Sequence, residues 1–189
     1  FLSSFMYFLD SVSNEEDSLV YALSRMSATF NVNYFVAKDL LNIITKFGLE
    51  EIENMTDVGC GTLAGSLAFD EVFDLPKIVG LEKNKYMLSF SQKMALKCSL
   101  YNYELKECDM TKDFIVPSDL VLASFSLNEL KDDRLFDVIE KMISSAKKYL
   151  VIVEAGTPKR FEFMKLIKEY VLSKGLSLLA PCGNSEIIF

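Results

Sequence analysis

The hydrophobic rhythm of the chain changes once, near residue 53. Up to that point apolar residues recur at helical spacing. Asn14 is a fitting N-cap, and Glu15, Glu16 and Asp17 fill a first turn where the helix dipole favours acids. Leu19, Leu23 and Met26 continue that face. Val36, Leu40, Leu41 and Ile44 mark a second helix from about Tyr34 to Phe47, and Gly48 suits its stop. Residues 1–52 therefore read as an N-terminal helical segment. The opening FLSSFMYFL is apolar but short and has no basic leader, so it reads as a buried helix or a truncated element rather than a signal peptide.

From residue 53 short apolar runs alternate with helical stretches. Strands are expected near 54–58, 77–81, 119–124 and 149–153, with a weaker one at 101–106. Helices are expected near 62–73, 84–98, 132–146 and 158–173, and Leu176 to Ala180 begins a further strand. This alternation predicts a doubly wound, mostly parallel α/β sheet over 53–189, preceded by the helical extension.

Composition narrows the chemistry. The 189 residues suit one domain, and with half of them apolar and a quarter charged the chain is globular rather than disordered or fibrous. There is no histidine, which excludes Ser-His-Asp catalysis, Cys-His catalysis and His-ligated metals together. Cys60, Cys98, Cys108 and Cys182 form no CxxC pair, so no metal site is expected and reduced thiols in an intracellular protein are the default. No run is long enough to span a bilayer. The chain opens on Phe1 instead of methionine, which points to a processed form or a fragment. A net charge of −7 disfavours nucleic acid, and no DNA partner is expected. Residues 140–175, however, hold eight basic and four acidic groups. They form either a local basic face or a solvated helix face of mixed charge.

Chemistry gathers at the predicted strand ends. Asp57-Val58-Gly59-Cys60-Gly61-Thr62 lies between the first strand and the next helix. Glycines there allow a sharp turn and close approach to a ligand, at the strand end where open sheets bind one. Glu82, with Lys83 beside it, closes the second strand 21 residues after Gly61, where an acid can accept both ribose hydroxyls. Asp109 and Met110 follow the weak third strand, placed to meet an adenine amine and ring, although Asp also serves turns. Ser124, Ser126 and Asn128 stand at the end of the fourth strand, facing a substrate or merely opening the next helix. A glycine loop with a ribose acid fits either a nicotinamide dinucleotide or S-adenosylmethionine. Asp57 favours the second, because a carboxylate suits a cationic methionine end and repels a pyrophosphate.

Over residues 54 to about 155 these features resemble the class I S-adenosylmethionine-dependent methyltransferases. The resemblance implies a Rossmann-like fold, with Asp57, Gly59, Cys60 and Gly61 at the methionine moiety, Glu82 and Lys83 at the ribose, and Asp109 and Met110 at the adenine. The third loop glycine usual in that family is Leu63 here. A narrower resemblance rests on Tyr21 to Thr29 (YALSRMSAT), Glu154-Ala155-Gly156-Thr157-Pro158 and Ala180-Pro181-Cys182. In that order they resemble the methyltransferase-like proteins associated with the mitochondrial small ribosomal subunit and their bacterial relatives. This implies the small subunit or its rRNA as partner, and a mitochondrial matrix or bacterial cytoplasmic setting. It also implies an iron–sulfur cluster where further ligands follow the Ala-Pro-Cys segment. Here Cys182 is followed by Gly183-Asn184-Ser185, and one thiolate does not hold a cluster that takes four.

Three function readings follow. One is a methyltransferase acting on or assembling the small subunit, with Ser124, Ser126 and Asn128 nearest the methyl. Another is a catalytically silent assembly or RNA-binding factor on the same scaffold. The third is a small-molecule methyltransferase.

Overall fold

The computed structural model describes residues 12–130 and 132–180. FLSSFMYFL and Cys182, with the readings made on them, lie outside the described residues. The elements run α1 (Glu15–Phe47), β1 (Asn54–Val58), α2 (Ala64–Phe73), β2 (Lys77–Glu82), α3 (Lys85–Lys97), β3 (Tyr103–Glu107), β4 (Ser118–Ser124), α4 (Asp132–Ser145), β5 (Ala146–Val153) and α5 (Pro158–Ser173). A short 3-10 turn, Leu127–Glu129, follows β4.

Five strands form one sheet in the order β3-β2-β1-β4-β5, every pair parallel. The chain starts at β1 in the middle, winds outward through β2 to β3, then returns to β4 on the other side of β1. That reversal between β1 and β4 is the switch point at which open α/β sheets bind ligands. The central strands β1 and β4 are buried at every residue but one each, Asn54 and Ser124, as sheets covered on both faces require. α1 packs on α2 and α3, and α4 packs on β4 and β5. The described residues up to Val153 form one compact unit, and those from Glu154 to Ala180 form another that contains α5, capped by Thr157 with Pro158 in its first turn.

Three local expectations are corrected. The two helices expected before residue 48 are one 33-residue helix, α1, capped by Asn14 Oδ1 on the Asp17 N–H and stopped by left-handed Gly48. The stretch between them is helical too, and within it Asn33 is bonded to Thr29 O one turn back and to Ser124 across the fold. Residues 176–180 form no strand. An apolar run becomes a strand only by pairing, and this one joins no ladder. β5 starts at Ala146, directly after α4 and without the expected gap. Its early residues Lys147 and Lys148 sit on an edge strand, where charge is tolerated and blunts pairing with other chains.

Candidate nucleoside site at the carboxyl end of the sheet

The site is built from the turns after β1, β2 and β4. β1 ends in Val58 and turns through Gly59 and Gly61, both left-handed, into Leu63, whose φ of 66° is also left-handed. Leu63 thus adopts the backbone conformation that glycine takes most easily. Its side chain is fully buried. The turn is tied to β2: Gly59 and Cys60 N–H both donate to Leu81 O, at 2.8 and 3.0 Å. Ser91 Oγ donates to Gly61 O from α3.

Glu82 completes the tie. Its Oε2 accepts the Gly61 N–H at 2.9 Å and its Oε1 the Asn84 N–H at 2.7 Å. The acid expected at a ribose is therefore the clasp of the glycine loop. Burial pushes its pKa up, opposed by backbone N–H groups of Asn84, Gly61 and Lys83.

Asp57 is 1% exposed. Its Oδ2 accepts a 2.6 Å bond from Ser66 Oγ at the start of α2, while its Oδ1 has no partner. Burial raises its pKa to about 6, against the Ser66 bonds and with a further push from Glu82. No ion pair of the described residues reaches Asp57 or Glu82. Buried charge is ordinarily paired, so the glycine loop carries negative charge that no ion pair among the described residues balances.

Gly59 is where the β1 and β4 turns touch. A Cβ there would lie 2.5 Å from Ser126 Cβ and 3.3 Å from Met110 Cε. Ser126 Oγ donates back to Val58 O at 2.7 Å. Cys60 points the other way, its Sγ against Gly80, and burial with Asp57 and Glu82 nearby pushes its thiol pKa well up.

Asp109 sits apart from this knot. Its Oδ1 takes both the N–H and the hydroxyl of Thr111, and its Oδ2 pairs with Lys83 at 3.0 Å. The Thr111 hydroxyl, then Lys83, hold its carboxyl below the ordinary range. Lys141, from the basic segment 140–175, braces this loop by donating to Met110 O and Asp113 O. Ser124 Oγ accepts from Asn33 Nδ2 at 2.7 Å. Phe125 follows with a left-handed φ of 55°, and Asn128 is exposed in the 3-10 turn.

The residues singled out in the sequence thus fall into three linked groups. Gly59, Ser126 and Met110 meet at the switch point, with Asp57 on the strand before them, Gly61 and Glu82 form the clasp, and Lys83 and Asp109 form the outer pair. Sequence reasoning missed Asn33, Ser66, Ser91 and Asn84. Asn84 alone had a local signal, an N-cap that accepts from Tyr86 and Met87 N–H. No group of three or more His, Cys, Asp or Glu among the described residues can hold a metal ion.

Solved structures share this fold. A protein of Methanococcus maripaludis assigned to the S-adenosyl-L-methionine-dependent methyltransferases superposes with a TM-score of 0.57 at 17% identity, over 88% of this chain and 77% of that one. A SAM-dependent methyltransferase of Aquifex aeolicus gives 0.55 at 19% identity, over 74% and 80%. A Pyrococcus horikoshii protein assigned as an RNA methyltransferase gives 0.53 at 17%, over 74% and 67%. These likenesses establish the fold. No match is found among curated proteins. The model of one family, described as mitochondrial small ribosomal subunit Rsm22, matches residues 15–188, and the chain belongs to that family.

Proposed function

We propose that the chain is an S-adenosylmethionine-dependent methyltransferase-like protein that acts on, or in the assembly of, the small ribosomal subunit. The observation that carries the cofactor reading is the unbalanced charge at the glycine loop. Buried Asp57 keeps an acceptor without a donor, Glu82 stands at the next strand end, and no cation among the described residues pairs with either. A cationic ligand with hydroxyls suits that pair. Asp57 and the turn Gly59-Cys60-Gly61 would hold the methionine end, Glu82 and Lys83 the ribose, and Asp109 and Met110 the adenine.

When bound, S-adenosylmethionine supplies a methyl already activated on a sulfonium. The chain's part is then alignment, which needs no imidazole and is worth up to about 7–11 kcal/mol when reacting atoms are well oriented. Ser124, Ser126 and Asn128, at the end of β4, would face the methyl acceptor. The family match supports the ribosomal reading, and so does the same fold in a protein assigned as an RNA methyltransferase. It also supports a mitochondrial setting, with the bacterial cytoplasm as the counterpart for bacterial relatives. No helix among the described residues is long and apolar enough to cross a membrane. The described residues do not offer an iron–sulfur cluster its ligands, so no step is assigned to one.

A silent assembly factor is the second reading, and a specific observation favours it. Both Glu82 oxygens already accept a backbone N–H and Asp109 already pairs with Lys83 and Thr111, so these acids have structural partners in the chain without a nucleoside. Calorimetric titration of S-adenosylmethionine into the chain and into Glu82→Gln decides between them. Micromolar binding by the native chain (about −8 kcal/mol), weakened in the variant, supports the methyltransferase. No binding by a folded chain leaves the silent factor.

A further inference from the structure

Asn33 lies in the middle of α1, far in sequence from the glycine loop, and is fully buried. Its amide nitrogen is spent on Thr29 O at 2.8 Å and Ser124 Oγ at 2.7 Å. Its Oδ1 accepts nothing. On the sheet, Asp57 stands beside Leu122, and Ser124 lies two residues further along β4, so Asp57 and Ser124 project from the same face. Both border Gly65: a Cβ built there would lie 3.3 Å from Asp57 Oδ2 and 3.6 Å from Ser124 Cβ. Asn33, Ser124, Asp57 and Ser66 are therefore one polar cluster at the switch point, buried except at half-buried Ser124, assembled from α1, β4, β1 and α2.

The cluster is unbalanced in two ways. Asn33 Oδ1 and Asp57 Oδ1 are acceptors without donors. The charge of Asp57, with Glu82 nearby, meets no cation among the ion pairs of the described residues. A water molecule would correct the first imbalance alone. A carboxylate or phosphate would worsen both. A primary ammonium corrects both, because it brings three N–H donors and one positive charge.

We propose that Asn33 is a specificity-determining residue of the cofactor site, its Oδ1 joining Asp57 Oδ1 in receiving the α-ammonium of a methionine-type ligand. The proposal rests on the cofactor reading above and adds the N-terminal helix to the site. It makes α1 part of ligand recognition, so that selection acts on the amino group and not only on the nucleoside.

The test compares two ligands on the full chain by calorimetry: S-adenosylhomocysteine, and its deaminated analogue, which keeps the nucleoside and thioether but lacks the ammonium. The native chain should prefer the aminated ligand. Asn33→Leu, close in volume but without the acceptor, should bind S-adenosylhomocysteine about tenfold more weakly and the analogue nearly as well as the native chain does. A structural role alone would weaken both ligands together, and that result overturns the proposal, as does no change in either. If Asn33→Leu does not fold, Asn33→Asp decides. It keeps Oδ1 and adds charge, so the preference for the aminated ligand should hold or rise, and a fall overturns the proposal. A native chain that binds neither ligand removes the cofactor reading itself. Binding of both with no effect of Asn33 removes only this inference.

Discussion

The two ends of the same parallel sheet are built by opposite rules. At the amino ends, Asp119 accepts the Glu53 N–H, the Asn54 side-chain N–H and Lys148 Nζ, while Asn54 Oδ1 accepts the Asp119 N–H in return. Thr56 and Ser118 share a 2.6 Å bond, and Tyr149 closes on Glu50 O. At the carboxyl ends Asp57 and Asn33 each keep an unpartnered acceptor, and Gly59, Gly61, Leu63 and Phe125 all turn left-handed within two loops. Asp57 and Asp119 are both buried carboxylates on adjacent strands, yet one is fully served and the other is not. The unmet bonding, and not left-handed backbone, which Asp74 and Ser99 also show before β2 and β3, is what sets the carboxyl end apart, since a fold optimised only for stability has no reason to keep it.

The largest effect expected from this contrast is at Gly59. Its φ is +77° and a Cβ would press to 2.5 Å from Ser126 Cβ, which is held in place by its bond to Val58 O. Gly59→Ala adds backbone strain to a clash that a fixed side chain cannot relieve, and should cost about 4 kcal/mol in urea denaturation. A cost near zero would mean that the β1 and β4 turns are loose, and the switch point would not be the preorganised knot described above.

The next test sets the two carboxylates against each other. Asp119→Ala strips three donors of their acceptor and should destabilise by about 2 kcal/mol, with no effect on ligand affinity. Asp57→Asn should do the reverse. The pKa of Asp57 is about 6 in the fold and near 3.8 when the chain is unfolded. The native state therefore holds its proton longer, and stability contributed by that proton is full below about pH 4 and lost as pH rises through about 6. At pH 7 the ionised form costs the apo fold about 3 kcal/mol. Asn keeps an acceptor for Ser66 and carries no charge. It should raise apo stability at pH 7 by about 2 kcal/mol, flatten the pH 4–6 slope, and weaken S-adenosylhomocysteine binding. If Asp57→Asn destabilises at pH 7 as Asp119→Ala does, the two ends do not differ in kind.

The contrast also explains what was legible in the sequence. Asp57, the two loop glycines and Glu82 could be read because each lies at a fixed step from a strand end, and strand ends follow from short apolar runs. Asn33 could not. Nothing in the local run SATFNVN marks this Asn as buried or as part of a site. Its partner Ser124 lies 91 residues away in sequence, and only the fold brings the two together. Ser66 and Ser91 look like ordinary helix serines until the fold sets them against Asp57 and Gly61. Glu82 was legible as an acid in the right place, but its present work, clasping the loop through Gly61 and Asn84, depends on turn geometry that spacing does not encode.

The smallest expected effect isolates the cause of the largest. Gly48 ends α1 with φ +60°, close to the value at Gly59, but a Cβ there meets nothing within 4 Å. The two positions thus share the backbone penalty and differ only in what surrounds them. Gly48→Ala should cost about 1 kcal/mol, the preference of glycine for left-handed backbone alone, and leave S-adenosylhomocysteine affinity unchanged. Subtracting it from the cost of Gly59→Ala leaves the steric part, the measure of how tightly the β1 turn is pressed against β4. Equal costs at the two sites would assign everything to the backbone and nothing to packing at the switch point. A clear gap between them would place the tightness where the ligand is proposed to bind.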